Sequence, residues 1–237
     1  LTDDNFATIV AAVKEGRILY SNIRKFVGFL LSCNVGEILV IFLASLIMGP
    51  NLVPLLPIQL LWLNLITDSF PALALGQEKG EPDIMKHKPR SQKEPILDGK
   101  MIRTIVIQSL SIFAATFAAF MAGLTIYGHA ADGGPADGAR TFAFVTLILA
   151  ELFRSYSARS EHLSVFKLGL FSNAALNKAM IVSLALLFAV IYVPFLDPIF
   201  HTVMLTLTDL AIILPLALIP FAAAEIDKVI RQSINKS

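Results

Sequence analysis

Cysteine is almost missing from this chain: Cys33 stands alone among 237 residues, so no internal disulfide can form. Charge is scarce too. Charged residues make up 16%, against about a quarter in soluble domains, which argues against a soluble globular fold. The net charge is +1 and no basic run is interleaved with aromatics, so no nucleic-acid partner is expected. The four histidines, His87, His129, His162 and His201, lack metal-ligand spacing and are read as solvated. No secretory signal precedes the polar start Leu-Thr-Asp-Asp-Asn, and there is no initiator Met. A piece of a longer chain is therefore expected. No internal repeat relates the two halves.

What is abundant is apolar sequence, 56% of residues, in blocks long enough to cross a bilayer. The expected fold is an all-α polytopic membrane protein with six transmembrane helices. They are Phe26–Met48, Pro57–Leu75, Ile102–Tyr127, Ala139–Ser157, Met180–Val193 and Leu205–Ala224. A stalk helix occupies residues 1–25, a long loop about 76–101, and a tail 225–237. Lys14, Arg17, Arg24 and Lys25 precede span one, and Lys79, Lys86, Lys88, Arg90, Lys93, Lys100 and Arg103 lie between spans two and three. Arg154, Arg159, Lys167 and Lys178 lie between spans four and five, and Lys228, Arg231 and Lys236 follow span six. The opposite side has only Arg140. The positive-inside rule then makes both termini and both long loops cytoplasmic.

Phe6, Ile9, Val10 and Val13 share one helical face, with Thr2 and Asp3 as capping candidates. This reads as an amphipathic stalk helix running into span one, with a helix lying on the membrane surface as the alternative.

Three acids fall well inside spans: Glu37, Asp68 and Glu151. An Asp at the bilayer centre costs at least about 2.5–3.5 kcal/mol, and no Lys or Arg lies deep in spans one or two to offset it. Each acid is therefore protonated, hydrogen-bonded across helices or paired with a transported cation. Asn34 and Glu37 are three apart on one face; Asn64, Thr67 and Asp68 follow i, i+3, i+4. Pro71 lacks the N–H that would bond the Thr67 carbonyl, so a local break is expected beside Asp68, marked by Ser69 and Pro71. Gly36 permits close approach by another backbone or an ion. The resulting candidates are all oxygen donors: Asn34, Glu37, Asn64, Thr67, Asp68 and Glu151. Such a set suits hard cations such as Ca²⁺ or Mg²⁺. Cys33 is turned about 100° from Asn34 and is read as core packing. Glu151 has a competing reading, a salt bridge to Arg154 three residues on.

Ser32-Cys33-Asn34-Val35-Gly36-Glu37 and Gln59-Leu60-Leu61-Trp62-Leu63-Asn64-Leu65-Ile66-Thr67-Asp68 resemble the fifth and sixth membrane helices of calcium-type P-type ATPases. Asp83-Ile84-Met85 through Pro89-Arg90 to Glu94-Pro95-Ile96 resembles the loop that touches the family's phosphorylation domain. Asp3-Asp4-Asn5-Phe6 with Glu15-Gly16-Arg17 resembles the stretch just after that domain. The resemblance covers the whole chain, most strongly to about Leu97. It implies the C-terminal membrane half of a pump that hydrolyses ATP through an aspartyl phosphate, with Mg²⁺ and ATP used elsewhere in the protein. It also implies that Asn34, Glu37, Asn64, Thr67, Asp68 and Glu151 occupy cation-ligand positions. Calcium export with proton counter-transport, in a bacterial plasma membrane, is the expected activity; a Na⁺/K⁺ or Mn²⁺ pump is the alternative. Partners would be the lipid bilayer and the preceding domains and helices of the same pump.

There are departures. Ser69 stands where the family commonly has Gly, and Arg154 lies close to Glu151. The chain has no Asp-Lys-Thr-Gly, Thr-Gly-Glu-Ser or Pro-Glu-Gly-Leu segment, so no catalytic residue is expected within it. Two other classes are weighed against the pump. A six-helix secondary transporter or channel would need an inverted repeat or a pore ring. A passive scaffold would need apolar or small residues where Asn34, Glu37, Asn64 and Asp68 stand.

Overall fold

The computed structural model describes residues 6–49, 52–81, 84–86, 95–128 and 136–234. Thr2, Asp3, His87, Lys88, Pro89, Arg90, Lys93, Glu94, His129 and Lys236 lie outside them. The described residues form helices and connecting turns, with no strand among them.

The first helix, α1 (Phe6–Met48), is one unbroken rod of 43 residues, about 65 Å at 1.5 Å per residue. That is roughly twice the hydrocarbon core of a bilayer, so α1 joins the expected stalk to the expected first span without a break. Phe6, Ile9, Val10 and Val13 are exposed. The next rod comprises α2 (Pro57–Trp62), a π-helical stretch (Leu63–Asp68) and α3 (Ser69–Leu75). The expected break beside Asp68 is thus a widening. A π turn moves the backbone bonds from i+4 to i+5, which keeps the chain paired while it re-aims the side chains.

The long α4 (Gly99–Tyr127) starts at Asp98, whose side chain accepts from the Met101 N–H at 2.8 Å. It leads to α5 (Asp137–Ser157) and the short α6 (Val165–Leu168). Then α7 (Ala174–Tyr192) begins six residues before the expected fifth span. Asn173 caps it by accepting from the Leu176 N–H, so the polar Asn177 and Lys178 sit in its first turns. The short α8 (Asp197–Phe200) follows. A capping box at Thr206 and Asp209 opens α9 (Leu207–Ala217). Pro215 and Pro220 flank the interruption at Leu218, and α10 (Ile219–Ile234) resumes the helix. The expected tail from residue 225 is therefore helical as far as Ile234. Its face packs on α4 and α5, with the Lys228 ammonium donating to the Ser157 carbonyl and Arg103 paired to Asp227.

Among the described residues, five helices are long and apolar enough to cross a membrane. The expected fourth span, now α5, has the length but carries Asp137, Arg140, Glu151 and Arg154. It is the bundle's central helix, touching α1, α3, α4, α7, α9 and α10, and 17 of its 21 residues are buried. Enclosure by its neighbours, rather than apolar composition, gives it a low-dielectric surrounding. Two glycines set its neighbours' spacing. A Cβ on Gly123 would lie 2.6 Å from the Ala139 Cα, and one on Gly36 would lie 2.9 Å from Ile112. The close approach expected at Gly36 is thus made by a side chain of α4.

Candidate cation site

The π-helical stretch is where the expected ligands meet. Wider winding brings Thr67 and Asp68 inward while Asn64 stays on the outer face; the first two are buried and Asn64 is exposed. Thr67 donates its hydroxyl to the Leu63 carbonyl at 2.8 Å, and Ser69 donates to the Asn64 carbonyl at 3.1 Å. Side-chain hydroxyls thus meet carbonyls in the irregular turn.

Asn64 donates its amide to the Leu60 carbonyl at 3.0 Å and to Glu37 Oε2 at 2.9 Å, which ties the π turn to α1. Asn34 donates to the Leu30 carbonyl at 2.8 Å. The donors of Asn64 and Thr67 are therefore consumed by protein acceptors, and Asn34 spends one of its two amide hydrogens. What Asn64 and Thr67 have left to offer is oxygen lone pairs, the half of their chemistry that a cation uses.

The carboxylates are the odd part. Glu37 Oε1 and both oxygens of Asp68 and Glu151 are buried without a hydrogen-bond partner among the described residues. Glu151 is fully buried, in the middle of the bundle rather than at an interface. No ion pair joins it to Arg154 among the described residues. Instead Arg154 reaches α1, where its Nη2 lies 3.5 Å from the Gly28 carbonyl and its guanidinium sits over the Phe29 ring at 5.5 Å. The salt-bridge reading of Glu151 does not describe this arrangement. Leaving a buried acceptor unmet costs about 1–3 kcal/mol, and five such atoms in one region mark a place built for a partner.

The structure divides the candidates into two groups on the same π stretch. Glu37 and Asn64 form one, on its open side. Asp68 and Glu151 form the other, deep between α1 and α5. A third residue completes the deep group: the Cys33 sulfur and one carboxylate oxygen each from Asp68 and Glu151 all lie within 4.8 Å of one another. Cys33 is fully buried, as a core residue should be, yet it faces the acids. The signal lies in the sequence, because Cys33 and Glu37 are i, i+4 and share a helix face.

Around Glu78, by contrast, the polar groups are matched. Arg159 makes two bonds to the Glu78 carboxylate, at 2.8 and 3.0 Å, and donates to the Gly169 and Leu170 carbonyls and to Ser172. Asn173 donates to Glu78 at 2.7 Å. Burial alone would raise the Glu78 carboxyl; the bonds from Arg159 and Asn173 and the charges of Arg159 and Lys25 outweigh it and hold the group below its ordinary range. Asn22 of α1 donates to the Gly76 and Glu78 carbonyls. This network pins the segment after α3 to the α1 rod and to the turn before α7.

The comparisons with known proteins converge. The family model described as "Cation transporting ATPase, C-terminus" matches residues 52–230. The chain is 46% identical over 220 residues to a "Calcium-transporting ATPase" of Bacillus subtilis, covering 93% of this chain and 24% of that protein. It is 40% identical to "Calcium-transporting ATPase 1" of Bacillus cereus, over 98% of this chain and 27% of the relative. It is 35% identical to the human "Calcium-transporting ATPase type 2C member 1", over 100% of this chain and 25% of the relative. The chain thus spans about a quarter of the length of these curated relatives.

Proposed function

The chain belongs to the cation-transporting ATPases, as the C-terminal region of a calcium-type P-type ATPase, and from that premise we propose that it supplies intramembrane ligands for Ca²⁺ export. Glu37, Asn34 and Asn64 serve the open side; Asp68, Thr67 and Glu151 serve the deep side. Ligands from the rest of the pump complete the open side, where Asn64 is exposed in this chain. ATP and Mg²⁺ act on domains outside it, through an aspartyl phosphate, and protons return on the emptied carboxylates. Parallel names among the relatives support calcium as cargo, and the Bacillus relatives support a bacterial plasma membrane.

The observation that carries this reading is the set of buried carboxylate oxygens without partners beside a π-helical turn. A divalent cation matches it: oxygen-rich, anionic and enclosed. A passive scaffold would have no reason to keep these acids unmet. We also propose that α5 crosses the membrane as the fourth of six spans, shielded by its neighbours; its 21 residues reach about 31 Å, the thickness of the hydrocarbon core. Basic residues cluster on the side of both termini, and the opposite Arg140 is paired to Asp137 at 3.3 Å. That asymmetry supports cytoplasmic termini.

The test is ATP hydrolysis by the full-length pump with Mg²⁺ present, against Ca²⁺, Mn²⁺, Na⁺ and K⁺. Stimulation by micromolar Ca²⁺, abolished by Asp68→Asn, is the expected result. Stimulation by Na⁺ or K⁺ alone would replace the cargo, and unchanged calcium affinity in Asp68→Asn would remove the site.

A further inference from the structure

We infer that the deep half of the cation site is a mixed sulfur–oxygen site, in which Cys33 joins Asp68 and Glu151 to hold thiophilic divalent ions such as Cd²⁺ or Zn²⁺ in competition with Ca²⁺. The inference rests on the proposed ion-site reading and adds to it the residue that sets selectivity.

Three facts carry it. First, one ligand atom from each of the three residues lies within 4.8 Å of the other two. Tetrahedral zinc, with bonds of about 2.3 Å to sulfur and 2.0–2.2 Å to oxygen, sets its ligands roughly 3.5 Å apart; closing the group onto such an ion is a side-chain adjustment on the order of 1 Å. Second, both carboxylates are buried and none of their four oxygens has a hydrogen-bond partner among the described residues. One oxygen of each is aimed into the group, and the nearby Arg154 guanidinium makes no ion pair with either acid among the described residues. Third, the thiol is fully buried and free, so no competing disulfide or solvent contact occupies it.

The chemistry then separates ions by softness. Calcium takes six to eight oxygen ligands and gains little from sulfur. Cadmium and zinc gain strongly from a thiolate. On binding, the metal–sulfur bond replaces the S–H bond and the proton leaves to water. A thiol in this position therefore raises the affinity for soft divalent ions far more than it affects calcium. Such an ion would be held as a poorly released competitor or as a second cargo.

The test uses the full-length pump. Equilibrium binding of Cd²⁺ and of Ca²⁺ is measured for the wild type, Cys33→Ser and Cys33→Ala. The account expects the ratio of cadmium to calcium affinity to fall by at least about tenfold in both variants, a difference of about 1.4 kcal/mol. An unchanged ratio overturns it. Cadmium-edge X-ray absorption of the wild type, loaded with one equivalent, needs no variant. A sulfur neighbour together with oxygens is expected, and an all-oxygen shell overturns the inference even if the variants fail to fold. The two readings fail separately. A pump that shows no calcium stimulation but binds cadmium through Cys33 would sink the proposed cargo and leave this site standing. Calcium stimulation with an all-oxygen cadmium shell would do the reverse.

Discussion

Two regions of this molecule bury carboxylates and treat them in opposite ways. Around Glu78 every strong demand is met: two bonds from Arg159, one from Asn173, and backbone acceptors for the remaining guanidinium protons. Around Asp68 and Glu151 four carboxylate oxygens are buried and unmet among the described residues, as are Nε and Nη1 of the neighbouring Arg154, whose guanidinium lies over the Phe29 ring. Both regions sit at the ends of the same rod, α3 and the π stretch before it. The difference teaches which acids hold the fold together and which are kept waiting. A matched network is rigid, and its worth lies in stability. An unmet one costs stability, on the order of 1–3 kcal/mol per group, and is retained for what it binds.

The largest expected effect comes from breaking the matched region. Arg159→Ala leaves Glu78 buried without its counter-charge, and should lower stability by about 3–5 kcal/mol. Thermal inactivation of the full-length pump reads this, and calcium affinity of the surviving protein should stay near wild type. Loss of calcium affinity at full stability would erase the distinction between the regions.

Next in size is Asp68→Asn. Calcium affinity should fall by at least about 100-fold, or roughly 2.7 kcal/mol. The ion-free protein should be as stable as the wild type or more so, because a buried unpaired acid has been removed. Equilibrium calcium binding and thermal inactivation in chelator check the two halves. Marked destabilisation of the ion-free variant would place Asp68 with the structural acids.

Asn64→Ala should act more weakly. It removes one amide oxygen and the bond to Glu37, and about a tenfold loss of calcium affinity, near 1.4 kcal/mol, is expected. A loss as large as that of Asp68→Asn would move the centre of the site to its open side.

The smallest effect is on pH dependence. The folded Glu78 carboxyl titrates below its ordinary range, so its contribution is complete above the unfolded value of about 4.3. It fades only as pH falls through the lower folded value. Glu78→Gln should therefore flatten the acid limb of the stability profile and leave the neutral region's slope unchanged. An acid limb identical to wild type would show that Arg159 is neutralised by other groups.

Much of this was legible in the sequence. Apolar blocks placed the helices, and i, i+3, i+4 spacing gathered Asn64, Thr67 and Asp68 because side-chain faces follow from helical pitch. What was not legible came from tertiary contacts. The π turn replaces the expected break because a wider helix keeps its bonds where an interruption would lose them. The start of α7 depends on the Asn173 cap, which an apolar count passes over. The helical stretch of α10 beyond Ala224 depends on packing against α4 and α5, since Glu225, Asp227 and Lys228 give it no apolar signature. The role of Cys33 required knowing which face of α1 looks at α5.

The central claim is that the unmet acids bind the transported ion and the matched ones do not. Radioactive calcium binding to the full-length pump, with wild type, Asp68→Asn and Glu78→Gln compared side by side, tests it most directly. The account predicts binding lost in Asp68→Asn and retained in Glu78→Gln. Retention in Asp68→Asn, or equal loss in both, would contradict it.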